Sequence, residues 1–304
     1  MRAILLLGLG LVALVAGRDV PVTPQLNYHE SVGIPLAQSI KEAEDAIHDP
    51  VKSAQDATDD NHRIVGGVIA PANAHPHLAG LVISLVGIAG NSVCGSSLLT
   101  TNRLVTAAHC WTHGTMQAWQ FTVVLGSQFL FYGGTRIATS QVILHPQYVS
   151  QFLMNDVAMI YLPTPVTFTQ SIQPVALPSG TQLWDTFAGT WAIAAGYGKV
   201  NDQQTGVSTA TQVSEVFLQV ITYAQCVSIY GSSFITPSTL CTSGTGSVGV
   251  CGGDSGGPLV SFQNGQRTLI GISSFAANVG CQLGHPSGFA RVTSFMSFIT
   301  QHMF

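Results

Sequence analysis

Short apolar runs broken by Gly, Pro, Ser and Asn dominate the chain from residue 64 onward. Runs of this length, rich in Val, Ile, Phe and Tyr, are typical of strands rather than helices. They predict strands at residues 78–86, 97–100, 103–108, 121–125, 136–144, 157–162, 190–198, 214–221, 258–262, 268–274 and 288–292. Many short strands with intervening turn signals indicate antiparallel barrels or a sandwich.

A connector with four prolines, residues 162–180, divides these strands into a group of six and a group of five. The division suggests two barrels with a cleft between them, and such a cleft is a frequent place for an active site. Near the C-terminal end the spacing of apolar residues changes to a helical period. It predicts a docked terminal helix that presents Val292, Phe295, Met296, Ile299 and Met303.

The region before residue 64 has a different pattern. Residues 1–17 carry one Arg, then about thirteen apolar residues and a small-residue end, which predicts a secretory signal peptide cut after Gly17. The alternative is a membrane anchor, although the apolar stretch is too short to span a bilayer. Residues 18–63 form a polar, cysteine-free segment. In its middle, residues 36–48 predict a short helix with Leu36, Ile40, Ala43 and Ile47 on one face; the alternative is a flexible linker.

The distribution of charge supports a processing boundary near residue 63. Residues 64–304 contain five basic and five acidic residues, so the net charge of −4 is carried upstream. We therefore divide the chain into a signal peptide (1–17), an activation prosegment (18–63) and a catalytic domain (64–304). The acidic net charge argues against a nucleic-acid or heparin partner.

Six cysteines occur, all after residue 90. Behind a signal peptide, an even number of cysteines indicates three disulfides, and spacing alone leaves all 15 pairings open. The sequence contains no CxxC pair, which makes a zinc site unexpected.

Three separated segments together contain the groups needed for hydrolysis by an activated nucleophile. They are VTAAHC with His109, NDVAMIYL with Asp156, and CGGDSGGPLV with Ser255. Taken singly, each has an ordinary structural interpretation: a structural histidine, a turn aspartate before a strand, and a glycine-rich loop.

The strings TAAHC and GDSGGP, in the order His, Asp, Ser, resemble the chymotrypsin family of serine endopeptidases, most of all insect midgut chymotrypsins. The resemblance covers Ile64 to the C-terminus. It implies an all-β fold of two antiparallel six-stranded barrels, with the active site between them and a C-terminal α-helix. It also implies that His109 is the general base, that Asp156 orients it and that Ser255 attacks the substrate. The backbone N–H groups of Gly253 and Ser255 would form the oxyanion hole.

The string RIVGG at residues 63–67 resembles the activation site of the same family. The resemblance implies that a trypsin-like protease cuts after Arg63 and that the freed amine of Ile64 pairs with Asp254. It also implies three disulfides, Cys94–Cys110, Cys226–Cys241 and Cys251–Cys281. None of these cysteines lies in the prosegment, so the prosegment is expected to leave after activation.

The resemblance also locates the pocket for the side chain that precedes the cut bond. Gly249 would form its base, with walls from Ser274, Phe275, Ala276, Ser287 and Gly288. Without an Asp at the base, a buried Lys or Arg would lack a counter-charge. We therefore expect a preference for Phe, Tyr, Leu or Met, with an elastase-like preference for smaller side chains as the alternative.

We expect a secreted, monomeric digestive enzyme, with a gut lumen as a candidate location. Its partners would be protein or peptide substrates, the activating protease and protein protease inhibitors, but neither a nucleic acid nor a membrane. No cofactor or metal is expected, because the loop after Ser127 lacks the acidic residues that bind calcium in some relatives. Two other hypotheses are a catalytically silent binding homologue and a regulatory protease of a cascade or venom.

Overall fold

A computed structural model describes residues 21–49, 66–199, 201–202, 212–263 and 265–304. The predicted signal peptide and the activation bond between Arg63 and Ile64 lie outside the described residues. Fifteen strands occur in the part of the chain that is described, and their bounds are β1 Val68–Ile69, β2 Leu78–Leu85, β3 Asn91–Thr100, β4 Arg103–Thr106, β5 Thr112–His113, β6 Met116–Leu125, β7 Thr135–Thr139, β8 Val142–Leu144, β9 Ala158–Tyr161, β10 Trp191–Gly196, β11 Ser214–Ile221, β12 Thr239–Thr242, β13 Pro258–Gln263, β14 Gln266–Phe275 and β15 Ser287–Arg291.

The first sheet has the strand order β5-β6-β2-β3-β4-β9-β8, with β7 added beside β6. Its strands curve around a core of fully buried apolar side chains that includes Leu81, Ile83, Leu98, Phe121 and Met159. The two ends of this sheet, β5 and β8, are not paired with each other, so it is a half-barrel.

The second sheet closes on itself. Its order is β1-β11-β10-β13-β14-β15-β12, and β12 pairs with β11 as well as with β15. Six strands therefore form a ring, and β1 is attached outside it. Leu218, Leu240, Leu259, Ile270 and Phe289 fill the interior and have no exposed surface.

The predicted fold class is confirmed, with two differences in detail. The first sheet stays open where a closed barrel was expected. The run predicted as one strand over residues 136–144 is two strands, because β7 pairs with β6 whereas β8 pairs with β9. The chain must change partner between them, and it does so around Ser140.

Three α-helices lie outside the sheets in the described ranges: α1 (Ile34–His48), α2 (Tyr223–Tyr230) and α3 (Met296–Gln301). A π-helical turn over His29–Gly33 leads into α1, and a 3₁₀ turn over Val292–Phe295 leads into α3. Two more 3₁₀ turns span Ala108–Cys110 and Gly180–Trp184. The predicted terminal helix is thus confirmed. None of the described helices is long and apolar enough to cross a bilayer.

The prosegment contains a helix, not a flexible linker, in its middle. Leu36, Ile40 and Ala43 are buried as the helical spacing predicts, and Ile47 is half-buried. The helix begins two residues before the predicted position, with Pro35 in its first turn, where a missing N–H costs nothing.

Candidate active site

The half-barrel supplies two of the three predicted side chains. His109 lies in the 3₁₀ turn directly after β4, and Asp156 lies two residues before β9, which pairs with β4. The pairing brings the start of β9 next to the end of β4, so both side chains lie at the same edge of the sheet. The disulfide Cys94–Cys110 joins the histidine turn to β3.

Two hydrogen bonds fix the His109–Asp156 pair. The His109 backbone N–H donates to Asp156 Oδ1 at 2.9 Å, and His109 Nδ1 lies 2.7 Å from Asp156 Oδ2. When Nδ1 carries the hydrogen, the other ring nitrogen, Nε2, is free to accept a proton. Both side chains are almost completely buried.

The carboxylate of Asp156 has a third donor, the hydroxyl of Ser274 at 2.5 Å. Burial on its own would raise the pKa of Asp156, but the charge and hydrogen bonds of His109, together with Ser274, hold this pKa below its usual value. The carboxylate is therefore ionised across the neutral range. Ser274 was predicted as a pocket wall, and its bond to Asp156 was missed because no sequence pattern connects the two positions.

Ser255 lies in a loop that is held between the two sheets. Its carbonyl accepts a hydrogen bond from the Gly95 N–H of β3, and the Gly256 N–H donates to Ser273 O of β14, both at 2.7 Å. A Cβ at Gly256 would lie 2.1 Å from Thr106 Oγ1, so this position requires glycine. The loop is also tied by the disulfide Cys251–Cys281. These contacts hold the Ser255 loop against the end of β4, directly before the turn that carries His109.

The Ser255 hydroxyl is not hydrogen-bonded to His109 Nε2 in the described part of the chain. A prosegment residue, Tyr28, contacts His109 and lines the same pocket as Ser255. Its ring packs against the His109 imidazole at 4.9 Å between centroids, and its hydroxyl donates to Val93 O at 2.7 Å. Burial raises the pKa of the Tyr28 phenol, while hydrogen bonding with the Ser255 side chain and the Gly253 backbone opposes that rise.

The predicted oxyanion loop has the backbone form that its sequence suggests. Gly253 has a φ of +100°, a conformation that residues with a side chain rarely adopt. A Cβ at this residue would also come within 2.7 Å of the Gly198 Cα. Gly253 and Ser255 are therefore both present at the site, with the Tyr28 hydroxyl beside their loop.

Asp254, the residue before Ser255, turns its carboxylate away from the cleft into the protein. It accepts hydrogen bonds from the backbone N–H groups of Gly198 and Cys251, each at 3.0 Å. Burial raises the pKa of Asp254 to about 7, and these two hydrogen bonds only partly oppose that shift. An ionised carboxylate in this environment would be strongly stabilised by a cation.

A pocket of about 170 Å³ opens beside Ser255. Of the six residues predicted to form the specificity pocket, Ser274, Phe275 and Ala276 line it. The rest of its lining comes from the catalytic domain and the prosegment: Lys199, Asp202, Cys251, Gly252, Ala277, Asn278, Gly280 and Cys281, and Gln25, Tyr28 and Val32.

Gly249, Ser287 and Gly288 do not line this pocket. The ring of Phe275 lies where a Cβ of Gly288 would be, so it fills the space beside that residue. Gly249 faces Ser287, since a Cβ at Gly249 would lie 2.8 Å from Ser287 Oγ, which accepts a hydrogen bond from the Val250 N–H at 3.2 Å. These three residues thus lie close to one another, but they do not line the open part of the pocket.

Two groups of potential metal ligands lie close together among the described residues: Cys94, His109 and Cys110, and Asp202, Cys251 and Cys281. In both groups the cysteines are joined in disulfides, so neither offers the thiolate that binds a metal. All three disulfides are those that the resemblance implies, including Cys226–Cys241, which joins α2 to β12.

Comparisons with known proteins agree with this geometry. A protein-family model described as Trypsin matches residues 64–299. The chain is 35% identical over 241 residues to collagenase of Hypoderma lineatum, covering 79% of this chain and 87% of that protein. It is 37% identical over 240 residues to brachyurin of Leptuca pugilator, covering 78% of this chain and 96% of that protein. A solved structure described as HL collagenase has a TM-score of 0.71 at 34% identity, and the match covers 78% of this chain and 97% of that one.

Proposed function

Since this chain belongs to the trypsin family and is a serine endopeptidase of the chymotrypsin type, we propose that it is made as a secreted precursor that is activated by cleavage after Arg63. In the activated form, His109, Asp156 and Ser255 carry out peptide hydrolysis. The observation that carries the assignment is the His109–Asp156 pair, buried and hydrogen-bonded beside the fixed loop that holds Ser255.

The mechanism follows from the protonation states of the pair. Asp156 remains ionised and holds Nδ1 of His109 in its protonated form, which leaves Nε2 to take the proton from the Ser255 hydroxyl. The Ser255 oxygen then attacks the substrate carbonyl, and the N–H groups of Gly253 and Ser255 stabilise the negative charge on its oxygen. His109 passes the proton to the leaving amine. Water then hydrolyses the acyl-enzyme by the same steps.

The proposed activation step rests on the environment of Asp254. Its buried carboxylate needs a cation, and cleavage after Arg63 would create one at the amine of Ile64. The described chain resumes at Gly66, which already lies against Val248: a Cβ at Gly66 would be 2.4 Å from Val248 Cγ1. The new N-terminus is therefore two residues from a segment that leads to the Asp254 loop.

The proposed preference for large apolar or aromatic side chains rests on the residues around the pocket. The predicted base, Gly249, supplies no negative charge, and neither do Ser274, Phe275 and Ala276, the predicted walls that line the open pocket. Asp202 does reach the pocket, but its carboxylate is exposed and accepts hydrogen bonds from the N–H groups of Cys281 and Gln282. It is not a buried counter-charge for Lys or Arg. An elastase-like preference for smaller side chains is the second candidate, favoured by the bulk that Ala276 adds to the pocket wall.

The proposal is tested on the secreted precursor treated with trypsin. N-terminal sequencing should find Ile64, and turnover of tetrapeptide anilides should be highest for Phe, Tyr, Leu or Met at the cut position. Ser255→Ala should be cut equally well and remain inactive, whereas Ser228→Ala, an exposed serine of α2, should match the parent. Arg63→Gln should stay inactive with trypsin present. Undiminished activity of Ser255→Ala would contradict the assignment. Faster turnover of the anilide with Ala than of the one with Phe at the cut position would establish the elastase-like alternative.

A further inference from the structure

The first residues of the described prosegment lie against the wall of the pocket. The Gln25 N–H donates to Ala276 O at 3.0 Å, the Asn278 N–H donates to Thr23 O at 2.9 Å, and Pro24 pairs with Ala277 in an antiparallel bridge. Residues 23–25 thus add a short antiparallel strand to residues 276–278. Strand addition of this kind is a general way to bind an extended peptide in a groove.

After this strand the prosegment turns at Asn27, which has a φ of +58°, and places Tyr28 over the reacting groups. Only 5% of Tyr28 is exposed, with its ring against His109 and its hydroxyl beside Ser255 and the Gly253 N–H. A side chain, not a peptide carbonyl, therefore occupies the position next to the nucleophile. This explains how a peptide can lie in the cleft without presenting a bond to be cut.

The next turn of the prosegment continues across the oxyanion loop. A Cβ at Gly252 would lie 2.4 Å from Val32 Cγ1, and a Cβ at Gly253 would lie 2.4 Å from Leu36 Cδ2. The two apolar side chains therefore contact the loop directly. A Cβ at Gly252 would require the Val32 side chain to move, and one at Gly253 would meet the Gly198 backbone as well as Leu36.

The helix α1 anchors the prosegment outside the cleft. Leu36, Ala37 and Ile40 belong to a buried cluster with residues of the half-barrel, including Val82, Val93, Val124 and Leu130. At the far end Glu44 is fully buried, and its two carboxylate oxygens accept hydrogen bonds from the backbone N–H groups of Leu130 and Phe131, both at 2.7 Å. Hydrogen bonds to a charged acceptor are among the stronger ones in proteins.

From these contacts we propose that residues 22–48 are an intramolecular inhibitor that occupies the substrate cleft. The site then remains blocked after cleavage at Arg63 until the prosegment dissociates or is itself cut. This inference rests on the proposed function, because it assigns an occupant to that same site. None of the described disulfides includes a prosegment residue, so the docked segment is held only by non-covalent contacts once the chain is cut.

Lys41 affects both the proposed release of the prosegment and the design of the experiment that tests it. It lies on the exposed side of α1, with 56% of its side chain accessible, and pairs with Asp45. A trypsin-like activator can cut there as well as after Arg63, which would separate Leu36 and Ile40 from Glu44. The test therefore uses full-length precursors that carry Lys41→Gln, so that α1 survives activation.

The first measurement does not depend on catalysis. A precursor with Ser255→Ala and Lys41→Gln is cut at Arg63 with immobilised trypsin and then analysed by gel filtration at micromolar concentration. The prosegment should co-elute with the catalytic domain. Adding Tyr28→Ala or Glu44→Gln should release it, with dissociation constants raised at least about tenfold, as expected for the loss of a buried, charge-assisted hydrogen bond in the second case. Glu42→Gln, an exposed carboxylate of the same helix, should behave as the parent.

The second measurement uses the same variants with Ser255 intact. Immediately after cleavage, the Lys41→Gln protein should have low activity that rises at least about tenfold on dilution or removal of the prosegment, and returning the purified prosegment should inhibit competitively. Tyr28→Ala and Glu44→Gln should be active at once. Prompt dissociation of the unaltered prosegment, or co-elution without inhibition, would contradict the proposal. Absence of activity after the prosegment has been removed would instead contradict the proposed function.

Discussion

Two buried aspartates in this molecule have opposite electrostatic properties. Asp156 and Asp254 are 1% and 3% exposed, yet the pKa of Asp156 is below its usual value and that of Asp254 is raised to about 7. Asp156 has an imidazole and a hydroxyl as partners, whereas the described partners of Asp254 are two backbone N–H groups. Burial is thus common to both, and the charge that faces each carboxylate decides the difference.

The comparison implies two functions. The carboxylate of Asp156 is already stabilised with the prosegment in place, so under the proposed function the His109–Asp156 pair is assembled before activation. The carboxylate of Asp254 has no cation among its described partners, so under the same proposal its loop would depend on the cleavage. We therefore propose that Asp156 supports the chemistry and that Asp254 responds to the cut.

The largest effect is expected for Asp156→Asn in the activated enzyme. The amide cannot hold His109 in the tautomer that accepts the serine proton, so kcat should fall on the order of 10⁴-fold, the size of loss known for the triad aspartate of this protease family. Steady-state kinetics on an anilide substrate measure it. The control is Asp185→Asn, because Asp185 is exposed and directly follows the 3₁₀ turn Gly180–Trp184. This substitution should change kcat less than about twofold. Equal kcat values for the two variants would remove Asp156 from the mechanism.

A smaller effect, confined to the activated form, is expected for Asp254→Asn. Without a carboxylate to bind the Ile64 amine, the Gly253 and Ser255 N–H groups are less well fixed, and kcat/KM should fall by about 10²- to 10³-fold. The residual activity of the uncut precursor should be unchanged, because that form has no free Ile64 amine. A comparable loss in the uncut precursor would show that Asp254 acts in another way.

The smallest effect concerns stability and pH. A raised pKa means that the folded precursor binds the Asp254 proton more tightly than the unfolded chain, whose value is about 3.9. The stabilisation is complete below pH 4 and is lost as the pH rises through about 7. Between pH 5 and pH 8 this loss is about 2.7 kcal/mol, or two pKa units, so the melting temperature of the uncut precursor relative to Asp254→Asn should fall by about 5–11 °C.

The activated enzyme provides the control for this measurement. There the Ile64 ammonium compensates the ionised carboxylate, so the same difference should depend much less on pH. Other titrating groups are present in both variants and cancel in the difference. If the melting temperature of the precursor relative to Asp254→Asn did not change from pH 5 to pH 8, Asp254 would be ionised without a cation.

Much of the catalytic arrangement could be predicted from the sequence, because short local motifs contain the residues concerned. The segments around His109 and Ser255 have strict local requirements, such as glycine at 253 and 256, and these requirements are visible in the chain itself. The prosegment helix was also predictable, since its apolar side chains follow a helical period. By contrast, the split between β7 and β8 depends on which strand each one pairs with.

The amino-acid sequence by itself predicted the fold class and the candidate residues His109, Asp156 and Ser255, because strand periods and short motifs are local features of the chain, and it offered the prosegment helix as one of two alternatives. Only the tertiary structure decided that Tyr28 covers His109, that Glu44 binds the Leu130 and Phe131 N–H groups, and that Ser274 supports Asp156. Those contacts join residues 80 or more positions apart. Their geometry follows from how the two sheets and the prosegment pack, and periodicity along the chain contains no information about that packing.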